Sequence, residues 1–335
     1  MAPPYSFAGD RGGAAVTNLV IAVVSLGIAL VVTPVVIIAA RRTGVMDRPG
    51  ALKPQSHPVP YLGGVAVFAG AAVGALAGRP TLLVPLGMAL VLGVADDRFE
   101  LSPWVRLAGQ FFVGAAVVVT CPVHLPGVAA ATTIIVVSVL LINGVNLLDG
   151  LDLLAGGVVA VAALAFALLL GGWGRHLGVA LAAALVGFLA YNRPPARVYL
   201  GDGGSYLLGT ALAVLLAATW APGVPASRAA AALALVAIPA AEVAFAVVRR
   251  WRGHRSLVTG DRGHPYDRLV ASGWPRPAAS LAYVAMEGIL ATAAVIAGLR
   301  ASVAAAMVVD VAGAALLVAS AAVTGALAPD EDART

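Results

Sequence analysis

Residues 192–205 read Asn192-Arg-Pro-Pro-Ala-Arg-Val-Tyr199-Leu-Gly201-Asp202-Gly-Gly-Ser205. This polar, glycine-rich loop is set between two apolar stretches, 176–191 and 204–220, that read as bilayer crossings. Asn192 and Asp202 offer hard oxygen donors, the glycines let backbone approach a ligand, and Arg193 and Arg197 stand nearby. A sharp turn with no ligand is the plain alternative. Polar loops of the same character recur along the chain, and that recurrence favours an enzyme working at a membrane surface.

Composition agrees with a membrane setting. The chain has 335 residues, 61% of them hydrophobic and 11% charged, with mean hydropathy +0.95. A soluble domain carries about 25% charged residues, so the fold class expected is an all-α, polytopic integral membrane protein. The formal charge of +5 is spread over loops and gives no nucleic-acid signature; arginines at a membrane face suit anionic lipid or phosphate. The single cysteine, Cys121, excludes a disulfide framework and a cysteine metal site.

At ~20 apolar residues per crossing, about eleven spans are expected, near 16–40, 61–78, 80–95, 104–121, 127–147, 152–171, 176–191, 204–220, 227–248, 277–298 and 302–326. The stretches 80–95 and 176–191 are short enough to be tilted or re-entrant. The first stretch is too long for a signal-peptide core and is followed by Arg41 and Arg42, so it reads as a retained span. One membrane domain over 1–335 is expected, with flexible tails at 1–15 and 327–335. Alternating the loops places sixteen of the 21 Lys and Arg on one side. The positive-inside rule makes that side cytoplasmic, with the N-terminus out and the C-terminus in. Every chemically interesting loop then falls on the cytoplasmic face.

Four further constellations carry the chemistry. The loop Asp47–Gly64 holds Lys53 and His57 among prolines; alone it could be no more than a positive, topology-fixing connection. Asp96-Asp97-Arg98-Phe99-Glu100 closes a span with adjacent carboxylates that repel until a cation or proton relieves them. Asn143, Asn146, Asp149 and Asp152 recur every three residues and are expected along one helix face, a costly stripe unless it faces a cavity. The arginine-rich run from Arg249 through Asp261-Arg262-Gly263-His264 to Arg268 suits phosphate, although its first arginines would serve equally well as a lipid anchor. Glu242, Glu287 and Asp310 lie inside apparent spans. They support a rival reading as an ion-coupled transporter, with structural pairing or snorkelling the expectation for the last two.

Taken in order, these loops resemble the polyprenyl-phosphate N-acetylhexosamine-1-phosphate transferases, from about residue 41 to 269. The resemblance is carried by Asp96-Asp97 with Leu101, Arg106 and Gln110, by Asn146-x-x-Asp149-Gly-x-Asp152, and by Asn192-x-x-Pro-Ala-x-Val-Tyr199-x-Gly201-Asp202-x-Gly-Ser205. It implies a Mg²⁺ ion, with Mn²⁺ as the alternative, held by Asn192 and Asp202. It implies catalytic roles for Asp96, Asp97, Asp149 and Asp152, with either of the first two deprotonating or orienting the lipid phosphate. Lys53, Arg106, Asn143, Asn146, Tyr199, Gly201, Arg262 and His264 would bind substrate, Tyr199 standing where the family sets an aromatic ring against uracil. The implied partners are a UDP-N-acetylhexosamine, polyprenyl phosphate and membrane lipid; no nucleic acid is expected, and the oligomeric state, with a homodimer as one alternative, stays open. The reaction expected is transfer of a sugar-1-phosphate, GlcNAc first among the sugars, onto polyprenyl phosphate in a bacterial plasma membrane, beginning a cell-envelope glycan. An inactive paralogue serving as an assembly partner is a further rival.

The chain departs from the family pattern in several places. His57 is displaced in the first loop, Leu153 replaces a glycine, Glu242 stands where an aspartate is common, and only His264 survives of a histidine-rich run. The last departure argues against a phospho-MurNAc-pentapeptide translocase and leaves the sugar open.

Overall fold

The computed structural model describes residues 11–47, 58–121, 127–256 and 263–328. Helix α1 (Arg11–Thr43) leads to a two-stranded antiparallel ribbon, β1 (Met46–Asp47) with β2 (Val59–Pro60), in which Met46 faces Pro60. There follow α2 (Gly63–Gly78), α3 (Leu83–Phe99), α4 (Pro103–Thr120), α5 (Val128–Leu148), α6 (Leu154–Leu169), α7 (Gly172–Asn192) and α8 (Gly201–Ala218). The chain finishes through α9 (Ala226–Ala234), α10 (Ala237–Arg252), α11 (Pro265–Ala271), α12 (Arg276–Leu299) and α13 (Val303–Val323). The all-α expectation holds, the two-residue strands apart.

Seven of these helices are long and apolar enough to cross a membrane, or eight if α9 and α10 form one broken span, against about eleven expected. The difference lies in α2, α3 and α6, whose 16, 17 and 16 residues are shorter than the ~20 of a typical crossing. Conversely, the stretch read as a short span at 176–191 is most of the 21-residue α7. The stretch read as one span at 227–248 is broken by a 52° bend between α9 and α10. Pro239 explains the break: its ring has no N–H and would clash with the carbonyl four residues back, at Leu235. Helix α1 begins at Arg11, inside the segment expected to be a flexible tail.

Local chemistry sets several helix starts. Ser102 caps α4 by accepting from the Val105 N–H, with Pro103 at the first helical position, and Ser302 caps α13 through Ala305. Helix α8 lies at the centre, buried along almost its whole length and packed against α2, α3 and α5. Glycines allow these close approaches: a Cβ on Gly93 of α3 would overlap the Asp202 carbonyl, and one on Gly64 of α2 would overlap Gly204. Burying α8 fixes its first turn, and with it the loop at 192–200, against three neighbouring helices.

Outside this core, α1, α4, α12 and α13 present exposed Val, Leu, Ile and Phe side chains outward, as helices facing lipid do. Glu287 of α12 is wholly buried, and both its carboxylate oxygens lack a hydrogen-bond partner among the described residues. It is therefore not the paired acid that the sequence led us to expect.

Candidate active site

The start of α8 has no capping side chain of its own. The Asp97 carboxylate supplies the cap from the end of α3, accepting the N–H groups of Asp202 at 2.9 Å and Gly203 at 3.1 Å. A carboxylate also suits the positive end of a helix dipole. Gly201 makes room for it: its φ is +71°, and a Cβ there would come within 2.6 Å of Asp97 Oδ2. Asp202 is then fixed from the side, accepting from Asn146 Nδ2 at 2.6 Å, while the same amide reaches Ser205 Oγ at 3.1 Å.

Asp96 points elsewhere. Its buried carboxylate accepts from the Tyr206 hydroxyl at 2.6 Å, the Leu101 N–H at 3.0 Å and Arg106 Nη1 at 3.4 Å. The adjacent pair thus divides its work: Asp97 holds α8, and Asp96 gathers α4 and the second turn of α8.

Helix α5 stops at Leu148, so the expected stripe does not continue as one helix face. Asp149 sits at the helix end and Asp152 beyond a tight turn. Asp152 Oδ2 accepts from the Ala196 N–H at 3.0 Å, and its carbonyl accepts from Ser280 Oγ at 2.8 Å. The 192–200 loop, the Asp152 turn and α12 are tied together there. Asn192 joins the same knot, its Oδ1 accepting from the Leu153 N–H at 2.9 Å and its Nδ2 donating to the Val198 carbonyl at 3.0 Å.

These residues enclose a cavity of about 290 Å³ lined by Asp47, Asp97, Asn146, Asp149, Asp152, Asn192, Tyr199, Gly201 and Asp202, with Tyr61 and Arg276 completing the wall. Five carboxylates in one cavity are electrostatically costly. Burial first, and then Asp202, Asp97 and Asp152, push the Asp149 carboxyl well above the usual aspartate range. Burial pushes the Tyr199 phenol up to about 12, with Asp152 adding to it. A second cavity, of about 510 Å³, opens on the other side of Asp97 and Asp202. Arg106, Asp96, Glu100 and Leu101 line it, and it shares Asp47, Tyr61, Asp97 and Asp202 with the first.

Among the described residues no three Asp, Glu, His or Cys side chains form a ready-made metal cage. Mg²⁺ asks for less: it keeps waters and commonly takes one or two protein carboxylates together with substrate phosphates. Clustered carboxylates with a raised proton affinity fit such an ion. Asp202 can contribute to it, and Asn192 Oδ1 retains one lone pair beside its bond to Leu153.

Of the residues singled out in the sequence, Asp97, Asn146, Asp149, Asp152, Tyr199, Gly201, Asn192 and Asp202 come together at the first cavity, and Asp96 and Arg106 at the second. Asn143 joins neither; its amide donates to Gln110 Oε1 at 2.6 Å and to the Val139 carbonyl at 2.8 Å, bridging α5 to α4. His264 is buried away from both cavities, with Nδ1 2.9 Å from Glu242 Oε2 and its ring stacked on Tyr266. Arg249 and Arg252 donate to the Ala326 and Leu327 carbonyls past the end of α13. Lys53 and Arg262 lie outside the described residues. Asp47, Tyr61 and Arg276 entered the wall without having been singled out. Arg276 had a signal, a basic residue opening a span on the arginine-rich face.

The chain also resembles known proteins. Residues 80–219 match the model of glycosyl transferase family 4. A probable undecaprenyl-phosphate N-acetylglucosaminyl 1-phosphate transferase of Bacillus subtilis is 30% identical over 275 residues, covering 75% of this chain and 76% of the relative. The chain belongs to glycosyl transferase family 4. Other relatives agree. A decaprenyl-phosphate N-acetylglucosaminephosphotransferase of Mycolicibacterium smegmatis is 29% identical over 309 residues, with 76% and 75% covered. An undecaprenyl-phosphate alpha-N-acetylglucosaminyl 1-phosphate transferase of Escherichia coli is 27% identical over 289 residues, with 77% and 78% covered. The family match spans α3 to α8, the helices that bring Asp97, Asn146, Asp149, Asp152 and Asp202 together. The chain is thus a multi-pass membrane phosphosugar transferase.

Proposed function

We propose that this chain transfers N-acetylglucosamine-1-phosphate from UDP-GlcNAc to undecaprenyl or decaprenyl phosphate in a bacterial plasma membrane, with its site toward the cytoplasm. The reading rests on one observation above the rest: two cavities meet at Asp97 and Asp202. The donor occupies the carboxylate-lined cavity beside Tyr199, and the acceptor phosphate enters the second, beside Arg106. An acceptor phosphate oxygen attacks the donor's β-phosphorus, the bond from that phosphorus to the bridging oxygen breaks, and UMP departs with the electron pair. The product is a polyprenyl-pyrophosphoryl sugar.

Each residue has a task in that scheme. Asp97 lines both cavities, so it orients the acceptor phosphate while holding α8 in register. Asp96 fixes Arg106, whose guanidinium meets the incoming phosphate. Asn146 orients Asp202, and Asp202 with Asn192 would hold Mg²⁺. Bound there, Mg²⁺ supplies a Lewis acid that offsets charge on the phosphoryl oxygens. Asp149 and Asp152 shape the donor cavity, Asp152 through its hold on the 192–200 loop.

The test is direct. Purified chain, polyprenyl phosphate, Mg²⁺ and UDP-GlcNAc should yield UMP and a GlcNAc-pyrophosphoryl lipid in equal amounts, and both should disappear with EDTA or Asp202→Asn. UMP from a different UDP-N-acetyl sugar, and none from UDP-GlcNAc, would keep the reaction and replace the donor. Silence with every UDP-sugar would overturn the proposal.

A further inference from the structure

The donor cavity presents a charge problem that the residues assigned so far do not solve. Asp47, Asp97, Asp149, Asp152 and Asp202 all line it, and a nucleoside diphosphate sugar brings two more negative charges. A single Mg²⁺ at Asp202 would stand at one end. Among the described residues, one basic side chain lines this cavity, Arg276.

Arg276 is held by the fold beside the Gly150–Asp152 turn. It opens α12, and Ser280, one turn later and buried, donates to the Asp152 carbonyl at 2.8 Å. Arg276 Nη2 lies 3.4 Å from the Gly150 carbonyl. The Gly150 turn is backed by Tyr266, whose hydroxyl donates to the Leu147 carbonyl at 2.7 Å. The guanidinium is close enough to Asp152 and Tyr199 to act on both electrostatically. Arg276 is an exposed residue that lines the cavity wall.

We propose that Arg276 binds the nucleoside-proximal phosphate of the donor, the phosphate that leaves as UMP. This rests on the donor reading above and extends it to a residue that nothing so far has given a role. Because the two cavities meet at Asp97 and Asp202, the phosphorus under attack lies at that end. The phosphate beside Tyr199 then falls within reach of Arg276. A planar guanidinium suits a phosphate dianion, and its charge is needed most as the departing phosphate gains negative charge.

The experiment measures equilibrium binding of UMP and of uridine to the purified full chain in EDTA, for the wild type, Arg276→Ala and Arg276→Lys, beside wild-type turnover of UDP-sugars. Arg276→Ala should weaken UMP about tenfold to a hundredfold, the range of a hydrogen-bonded charge. Arg276→Lys should fall between, and uridine, which lacks the phosphate, should bind all three alike. Unchanged UMP affinity in Arg276→Ala, or a parallel fall in uridine, overturns the assignment even if the wild type turns over its donor. A wild type that neither turns over any UDP-sugar nor binds UMP overturns the donor reading itself, and this inference with it.

Discussion

Asp97 of α3 caps the helix that carries Asp202: one carboxylate accepts the N–H groups of Asp202 and Gly203, at 2.9 and 3.1 Å. A residue at the junction of the two cavities is therefore also a structural bracket. Asp97→Ala strips two acceptors from a buried helix start and should cost about 1–3 kcal/mol. Asp97→Asn keeps one acceptor and should cost less. Thermal unfolding in detergent reads the difference, while UMP release should fall in both variants.

Gly201 has two reasons to be glycine, a φ of +71° and the Asp97 oxygen where a Cβ would stand. Gly201→Ala should lose about 1–3 kcal/mol from backbone strain and displacement of Asp97. Activity should drop at least as far as in Asp97→Ala. An Ala variant with wild-type melting and turnover would show that the cap does not matter.

The two asparagines of α5 should separate. Asn146 holds Asp202, whereas Asn143 bonds to Gln110 outside both cavities. Asn146→Ala should reduce UMP release strongly and weaken the response to Mg²⁺. Asn143→Ala should reduce melting temperature by the equivalent of about 1 kcal/mol and leave the Mg²⁺ response unchanged. Titrating Mg²⁺ against activity in both variants checks this.

Proton and metal should compete at Asp149. Its carboxyl is raised well above the ordinary 3.8 by burial and by Asp202, Asp97 and Asp152. The folded state therefore holds a proton that the unfolded chain releases near 3.8. That stabilising contribution is present below 3.8 and is lost as pH rises through the raised value. A divalent cation offsets the same repulsion without the proton. The rise in melting temperature on adding Mg²⁺ should thus grow as pH increases from about 5 to 8. A rise that is flat or shrinking over that range would count against a carboxylate-held ion.

His264 and Glu242 form a buried pair at 2.9 Å, and Tyr283 donates to the other Glu242 oxygen at 3.1 Å. His264→Ala leaves the buried Glu242 side chain short of a hydrogen-bond partner and should cost about 1–3 kcal/mol. Adding Glu242→Gln should recover part of that loss. Non-additivity of about 1 kcal/mol or more in melting measurements is expected.

Much of the site was legible because its signals are local. The glycine-rich turn before Ser205, the paired acids at 96–97 and the Asn146–Asp152 block each declare themselves within a few residues. The periodic reading failed where the helix did. Asp149 and Asp152 follow the end of α5 at Leu148, and Asp152 faces the cavity by way of a turn. Hydropathy registers apolar length and does not see where helices start, stop or bend, so neither the Pro239 break nor the shortness of α2, α3 and α6 could be read from it.

The sequence by itself determined that this is a helical membrane protein with its acids gathered in a few loops, because hydropathy and charge are summed along the chain. Only the tertiary structure decided which polar groups share a cavity. It sent Asn143 to Gln110 and Asn146 to Asp202, buried His264 against Glu242, and brought Arg276 from the start of α12 to the Asp152 turn. The physical reason is that a side chain's partner is set by the helix packed against it. That neighbour lies 33 residues away for Asn143 and 56 for Asn146, beyond the reach of any local pattern.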